Sequence, residues 1–391
     1  MSRRVLELTG LRCVAVMLVV ISHAEHMTKG GYTGLLAPLR YFANGGVGVF
    51  ISFVLSGFLI TELLQAEWRA CGSIKLMRFY GRRALRIWPA FYVYLIALGL
   101  FGIAGLIDVD VRQILFAAVH LWNYSEMLGL GNVNMAHPVG AWLLGHFWTL
   151  ALDEQFYWLW PPVLLLLLRR RDPRWLVLVI MLMPLLRVLC YFTTPSLRGQ
   201  LGLMLHTGVD PVLMGCYIAL DRGRLKAQMN ARFAGAFVLP ALILVLLLGL
   251  PVIGTLAGGI WTATYGPVAL AAAVGLLILA VVERPELWIS RLLRSKAFVF
   301  VGTISFSLYV WQQLFTSTAS PLALRFPFCI LEALAAAALS YALVEAPFLR
   351  LRSWLGKRAQ AATLEAGSEE GGAQARSVEA EPLQDLPQQA L

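Results

Sequence analysis

Charged residues are scarce in this sequence and make up only 14% of its 391 residues. An ordinary soluble domain is about one quarter charged. Apolar residues reach 59%, and they form long runs that short basic clusters separate. This composition excludes a disordered chain. It predicts an all-α fold, namely a polytopic membrane bundle in which the long apolar runs are transmembrane helices.

Cysteine is also scarce. The five cysteines have no paired spacing, and four of them lie in apolar runs, where a free thiol behaves as a small apolar side chain. The sequence therefore predicts neither a disulfide framework nor a zinc site. We expect no metal and no tightly bound cofactor.

The net charge of +10 raises the question of a nucleic-acid partner. The basic residues flank the apolar runs, however, and this is the pattern that orients a membrane protein in its bilayer. We therefore predict the lipid bilayer, and no nucleic acid, as the partner of these charges.

Apolar stretches of about 20 residues are long enough to cross a hydrocarbon core. Such stretches lie near 8–27, 44–66, 87–107, 146–168, 174–193, 203–221, 233–251, 260–282, 298–319 and 326–349. A weaker stretch lies at 110–127. The basic clusters alternate between the two sides only if 110–127 does not cross, and both termini are then cytoplasmic. The sequence thus predicts about ten spans and one non-crossing segment.

The predicted membrane domain covers residues 1–351. The remainder, 352–391, is rich in Ala, Glu, Gln, Gly and Ser and has no aromatic residue from position 359 onward. Such a segment cannot bury enough apolar surface to fold, so we expect a disordered cytoplasmic tail. The first span resembles a signal peptide, but Arg12 lies beside its apolar core, and we expect the span to be retained.

Two ionisable residues lie in this first span, where such residues are costly and indicate function. Arg12 and His23 are eleven residues apart. That spacing is three helical turns plus about 20°, so both project from one face, about 16 Å apart along the axis. The alternative is that Arg12 extends to one membrane edge and His23 lies at the other, each without a functional role.

The span at 146–168 carries two adjacent carboxylates, Asp153 and Glu154. Adjacent helical residues project about 100° apart, so no more than one of the two needs to face a site. The alternative interpretation is a carboxylate that pairs with a buried arginine.

Three further groups are candidates with competing explanations. Ser52 and Ser56 could line a site or could bond to the backbone of their own helix. Tyr309 and Gln312 share one helix face, where a glutamine more often joins two helices than catalyses a reaction. The cluster Arg82, Arg83 and Arg86 is either an orientation signal or a phosphate clamp, because guanidinium matches phosphate at two points.

Taken together, these segments resemble the acyltransferase-3 family of integral membrane acyltransferases, in order from Leu8 to about Leu351. The motifs that carry the resemblance are LTGLR at 8–12 with His23, FVLSGFL at 53–59, RRALRIWP at 82–89, WTLALDEQFY at 148–157, SFSLYVW at 305–311 and SYALVEAPF at 340–348. Each motif is weak alone, but six in the right order are specific.

The sequence departs from the family pattern at three positions. Asp153 stands where a second Glu is usual, and Ala346 replaces a usual Arg. Gln312 stands where many members have His, so the resemblance gives this position no catalytic role. No esterase-like domain follows 1–351, so the chain is expected to be the stand-alone form.

The resemblance implies transfer of an acyl group, usually acetyl, from acyl-CoA to a hydroxyl of a carbohydrate or glycolipid acceptor at a bacterial inner membrane. Acyl-CoA would bind through its head group at Arg82, Arg83 and Arg86, with Arg12 further in. His23 would be the general base, and Glu154 would orient it. The supporting residues expected to line the site are Ser52, Ser56, Trp148, Asp153, Tyr157, Tyr309 and Gln312.

Two other classes of function fit parts of the pattern. Intramembrane Arg, His and Glu also serve proton coupling, so a transporter or flippase of a lipid-linked glycan is the main alternative. It differs from the acyltransferase in needing no acyl-CoA. A metal or haem protein that uses His23 and His26 lacks a further set of strong ligands.

Overall fold

The computed structural model describes residues 3–170, 172–232 and 238–356, and the described part of the chain is helical without any strand. In chain order its helices are α1 (Arg3–Ala24), α2 (Ala37–Phe42), α3 (Gly45–Cys71), α4 (Leu76–Ile103), α5 (Val111–Ala118), α6 (Gly131–Ala136), α7 (Pro138–Gly145), α8 (Phe147–Arg170), α9 (Arg174–Thr193), α10 (Leu205–Gly208), α11 (Asp210–Leu220), α12 (Arg222–Arg232), α13 (Val238–Ala257), α14 (Gly259–Ala263), α15 (Gly266–Glu283), α16 (Trp288–Leu293), α17 (Lys296–Thr303), α18 (Ser305–Phe315) and α19 (Phe328–Ser340). The prediction of an all-α polytopic bundle is confirmed.

Within the described ranges, seven helices are long and apolar enough to cross a membrane, and a bent pair makes up to eight. The seven include α1, α3, α4, α9, α13, α15 and the helix that starts at Phe328. α8 is also long enough, because its 24 residues extend about 36 Å. By contrast, α5 has eight residues, or about 12 Å, which agrees with a non-crossing segment at 110–127.

Two predicted spans are not the straight helices that the sequence suggested. The stretch 203–221 is split into α10 and α11 at Val209. Pro211, in the first turn of α11, has no N–H to continue the helical hydrogen bonds of α10. The stretch 298–319 is bent by 73° between α17 and α18. The bend before α18 lets this helix pack against α1 and α4.

The last helix passes through a π-helical turn at Tyr341–Glu345 and continues as α-helix to Gly356. It therefore extends five residues into the predicted tail 352–391. The rest of that tail, 357–391, lies outside the described residues.

α3 lies at the centre of the bundle and packs against α1, α11 and α15. Its contact with α11 is a direct contact between backbones. A Cβ added at Gly57 would lie 1.9 Å from the carbonyl oxygen of Val212, and one at Gly215 would lie 1.9 Å from that of Val54. Small residues that let helices approach this closely are common in membrane bundles, and here they allow α3 and α11 to pack backbone against backbone.

Candidate active site

A cavity of about 160 Å³ lies between α1, α3, α4, α8 and α18. Its polar lining residues are Arg12, Ser52, Ser56, Arg83, Arg86, Thr149, Asp153, Tyr157, Ser305 and Tyr309. Most of these were predicted from the sequence as site residues, although they come from five separate helices. The cavity is therefore the place where the predicted motifs meet.

One end of the cavity, here called the arginine end, is formed by Arg12, Arg83 and Arg86. The guanidinium carbon of Arg83 lies 3.5 Å from the centre of the Tyr157 ring, and Tyr157 is hydrogen-bonded through its hydroxyl to Ser56. Stacking on an aromatic ring fixes the plane of a guanidinium while its donors stay available. Three arginines that face one cavity are suited to bind a phosphorylated ligand.

α8 lines the cavity with every fourth residue. Thr149, Asp153 and Tyr157 project from one face, as the helical period requires. Of the two adjacent carboxylates, Asp153 is the one that lines the cavity, and its Oδ1 is buried without a hydrogen-bond partner among the described residues. Glu154 projects from the next face toward α4, where its Oε1 lies 3.8 Å from Nε of Arg83.

The opposite end, here called the histidine end, lies one helical turn beyond the cavity lining. Val16 and Val19 of α1 line the cavity, and His23 follows Val19 on the same face. Nδ1 of His23 lies 3.0 Å from Oε1 of Gln312 on α18. The His23 ring also meets the ring of Trp142 edge to face, with centroids 5.5 Å apart.

Tyr309 of α18 and Thr149 of α8 line the cavity from two neighbouring helices. Tyr309 donates a hydrogen bond of 2.7 Å to the carbonyl oxygen of His146 and lies 2.5 Å from the Thr149 hydroxyl. The His146 ring is buried and bonded to Gln313 and to the carbonyl oxygen of Val310. These bonds fix α8 against α18. The role of Thr149 was missed in the sequence, although its spacing of four residues from Asp153 indicates the same face.

Several predicted site residues lie beside the cavity and not in its lining. Arg82 bonds to Glu67 at 3.2 Å, and Trp148 packs edge to face on Phe53.

Ser52 lines the cavity and also bonds to the carbonyl oxygen of Gly48 on its own helix. Sequence reasoning missed Arg352, a buried residue within electrostatic reach of Arg82, Arg83 and Arg86.

The structure does not bring His23 and Glu154 together, although the sequence suggested them as a pair. His23 bonds to Gln312, Glu154 pairs with Arg83, and no hydrogen bond in the described part of the chain joins the two. The reason is geometric, because α1 turns His23 toward α18 whereas α8 turns Glu154 toward α4. The position of Glu154 instead agrees with the alternative interpretation, in which a carboxylate of this span pairs with a buried arginine, here Arg83.

Among the described residues, no group of three or more His, Cys, Asp or Glu side chains could hold a metal ion. The arrangement instead offers arginines for an anionic ligand at one end, a histidine at the other, and a cavity between them. Arg12 and His23 lie on one face of α1, about 16 Å apart along its axis.

The family model of an acyltransferase domain, Acyl_transf_3, matches residues 5–344. A Staphylococcus aureus (strain COL) protein that is provisionally named an O-acetyltransferase is 28% identical over 319 residues, or 78% of this chain and 49% of that protein. The peptidoglycan O-acetyltransferase OatA of Listeria monocytogenes is 25% identical over 344 residues, or 80% of this chain and 49% of OatA. The chain thus spans about half the length of these relatives. No solved structure matches it.

Proposed function

Because the chain belongs to the acyltransferase-3 family and is an integral membrane acyltransferase, we propose that it transfers an acetyl group from acetyl-CoA to a hydroxyl of a carbohydrate in the cell envelope. The names of its relatives support the acetyl group and the carbohydrate acceptor. The arginine end of the cavity is the observation that supports acetyl-CoA as the acyl donor, because three guanidinium groups there suit the phosphates of coenzyme A.

In this proposal the arginine end faces the cytoplasm of a bacterial inner membrane. The positive-inside rule favours that orientation, with both termini cytoplasmic. Arg12, Arg83 and Arg86 bind the phosphates from within the cavity, while Arg82 and Arg352 add positive charge at its mouth. Glu154 supports the binding of the phosphates indirectly, because its carboxylate holds Arg83 in place beside Tyr157.

The pantetheine arm then lies along the α1 face formed by Val16 and Val19. This direction carries the thioester toward the histidine end, where His23 is the general base. His23 accepts the proton of the acceptor hydroxyl as the hydroxyl oxygen attacks the acyl carbon. The C–S bond then breaks, and the departing thiolate recovers the proton from the imidazolium.

Replacing Arg86 with alanine should weaken the binding of coenzyme A about 10- to 150-fold. That factor corresponds to a loss of about 1.5–3 kcal/mol, the usual worth of a hydrogen bond to a charged group. Lysine at this position should restore only part of the affinity, because it lacks the planar fork. The measurement is calorimetric titration of the purified, detergent-solubilised protein with coenzyme A.

Arg291→Ala is a matched control, because Arg291 is an exposed arginine on α16 that does not line the cavity. The affinity of the Arg291→Ala variant for coenzyme A should equal that of the unaltered chain. If Arg86→Ala also binds coenzyme A with unaltered affinity, the arginine cluster is an orientation signal and the proposed donor site is wrong.

The acceptor is tested by mass spectrometry of surface glycans from cells with and without the gene. The proposal predicts that glycans from cells without the gene lack the acetyl groups, whereas the amount of glycan is the same in both kinds of cell. A transporter of a lipid-linked glycan predicts the opposite, namely less glycan with its acetylation unaltered, and a transport activity without acetyl-CoA.

A further inference from the structure

Gln312 occupies an unusual position for an amide in a membrane bundle. It lies on α18 one turn beyond Tyr309, and its side chain is 0% exposed. Its Oε1 lies 3.0 Å from Nδ1 of His23 and accepts a second, longer bond of 3.5 Å from the hydroxyl of Thr316. Its Nε2 is buried without a hydrogen-bond partner among the described residues.

The contact with Oε1 determines which ring nitrogen of His23 carries the proton. A carbonyl-type oxygen only accepts hydrogen bonds, so Nδ1 of His23 must be the donor. In the neutral ring the other nitrogen, Nε2, then keeps its lone pair. The amide thus prepares His23 to accept a proton at Nε2, as a carboxylate does for the histidine of a catalytic triad.

The unpartnered Nε2 of Gln312 requires a separate explanation. A buried donor without an acceptor costs about 1–3 kcal/mol, and such groups are rare in folded proteins. The cost is removed if a ligand oxygen binds there. The ligand atom brought beside His23 by the proposed donor path is the carbonyl oxygen of the thioester, which becomes an oxyanion during transfer.

We propose that Gln312 has two roles in the reaction, one through each end of its amide. Oε1 holds His23 in the tautomer that leaves Nε2 free, which makes Gln312 a positioning residue for the base. Nε2 donates to the acyl carbonyl oxygen and stabilises the oxyanion. This inference rests on the proposed function and assigns a role to a position where many family members carry His.

The step is balanced as follows. The acceptor oxygen forms a bond to the acyl carbon, the C=O π electrons move to the oxygen held by Gln312, and the hydroxyl proton moves to Nε2 of His23. When the oxyanion restores the C=O bond, the C–S bond breaks. The thiolate leaves with the proton from His23, and free coenzyme A and the O-acetyl ester are the products.

Two substitutions separate the roles. Gln312→Leu is similar in size but removes both the acceptor and the donor. Gln312→Glu keeps an oxygen acceptor for Nδ1 of His23 but removes the amide donor. Transfer is measured with radiolabelled acetyl-CoA as donor and chitopentaose as a hydroxyl-bearing acceptor probe, as a function of pH.

We expect both variants to lose about 10²–10³-fold in kcat, because removal of one oxyanion donor has that effect. The affinity for coenzyme A, which binds at the arginine end, should not change. In Gln312→Glu the acid limb of the pH–rate profile should move to higher pH by about one to three units, since a carboxylate stabilises the imidazolium. Other titratable groups that face His23 are His26 and His146, both present in each variant.

A second measurement does not depend on activity. The ¹⁵N NMR signals of His23, assigned by their absence in His23→Ala, should show the Nδ1–H form in the unaltered chain and a loss of that preference in Gln312→Leu. An Nε2–H form in the unaltered chain would overturn the positioning role. A kcat in Gln312→Leu equal to that of the unaltered chain would overturn the oxyanion role.

Failure of the proposed function gives a different result. If the unaltered chain does not acetylate chitopentaose and its acetyl-CoA consumption does not depend on His23, the proposed reaction is wrong. The NMR result on the His23 tautomer holds in either case. If both variants lost affinity for coenzyme A together with kcat, Gln312 would be a packing residue and the inference would be wrong.

Discussion

Replacing His23 with alanine should abolish acetyl transfer while coenzyme A still binds. The substitution removes the proposed base, and general-base catalysis contributes about 10²–10⁴-fold to the rate. The arginines that bind the donor lie at the other end of the cavity, about 16 Å away along α1, so the affinity for coenzyme A should remain. Both quantities are measured on the purified protein, the rate with radiolabelled acetyl-CoA and chitopentaose and the affinity by calorimetry.

His26→Ala is the matched control, because His26 lies just beyond the end of α1 and also packs on Trp142. The side chain of His26 is exposed, and the His26→Ala variant should transfer acetyl groups at a rate close to that of the unaltered chain. If His23→Ala transfers acetyl groups at the unaltered rate, His23 has no part in the mechanism. Loss of coenzyme A binding in His23→Ala would indicate a general loss of structure.

The separation of His23 from Glu154 has a kinetic consequence. Residues that act as one catalytic unit show non-additive losses, whereas residues without shared contacts usually show additive ones. Glu154→Gln should act through Arg83 and weaken the binding of coenzyme A, while His23→Ala should lower kcat. The double variant should combine both losses. A double variant no worse than His23→Ala, with donor affinity unaltered in both, would restore the pair that the sequence suggested.

Features that depend on one helix were predictable from the sequence. The shared face of Arg12 and His23 follows from the helical period alone, and the structure places that face along the cavity wall. The all-α class follows from the long apolar runs. The number of spans is harder to predict from the apolar runs, because α11 has only 11 residues and because α17 and α18 meet at an angle of 73°.

Features that depend on contacts between helices were not predictable. The resemblance implied that Glu154 orients His23, whereas in the structure Asp153 lines the cavity and Glu154 lies beside Arg83. The two positions differ only by a 100° turn. Which of them faces the cavity depends on the rotation of α8 against α4. The contact between Gln312 and His23 spans 289 positions in the sequence and depends on the bend before α18, which no local pattern indicates.

A buried ion pair away from the cavity was also missed in the sequence. Arg187 of α9 is 1% exposed and Asp210 at the start of α11 is 0% exposed. Nη1 of Arg187 donates to Oδ1 of Asp210 at 2.8 Å and to the carbonyl oxygen of Thr207 at 2.9 Å. Nη2 donates to the carbonyl oxygen of Thr264 at 3.0 Å. One guanidinium therefore ties α9 to the break before α11 and to the turn before α15, where the chain has backbone oxygens without helical partners.

Arg187→Met should destabilise the protein by about 3–5 kcal/mol, because it leaves a buried carboxylate without its counter-ion. The double variant Arg187→Met, Asp210→Leu removes both charges and should recover part of this loss. The free energy of unfolding is measured by denaturant titration of the purified protein in detergent. Arg198→Met is the control and should change the free energy of unfolding by about 0.5 kcal/mol or less. Arg198 is exposed, stacks on the Tyr191 ring and donates a hydrogen bond to the Tyr191 carbonyl oxygen at the surface.

The comparison between the single and the double variant decides what the pair contributes. Recovery in the double variant would mean that the cost of Arg187→Met lies in the orphaned charge of Asp210. If the double variant is as unstable as the single one, the stabilisation comes from the bonds of Arg187 to the backbone of Thr207 and Thr264, and the carboxylate is secondary. Unaltered stability in Arg187→Met would exclude both, because it would require Asp210 to be solvated or neutral without its partner.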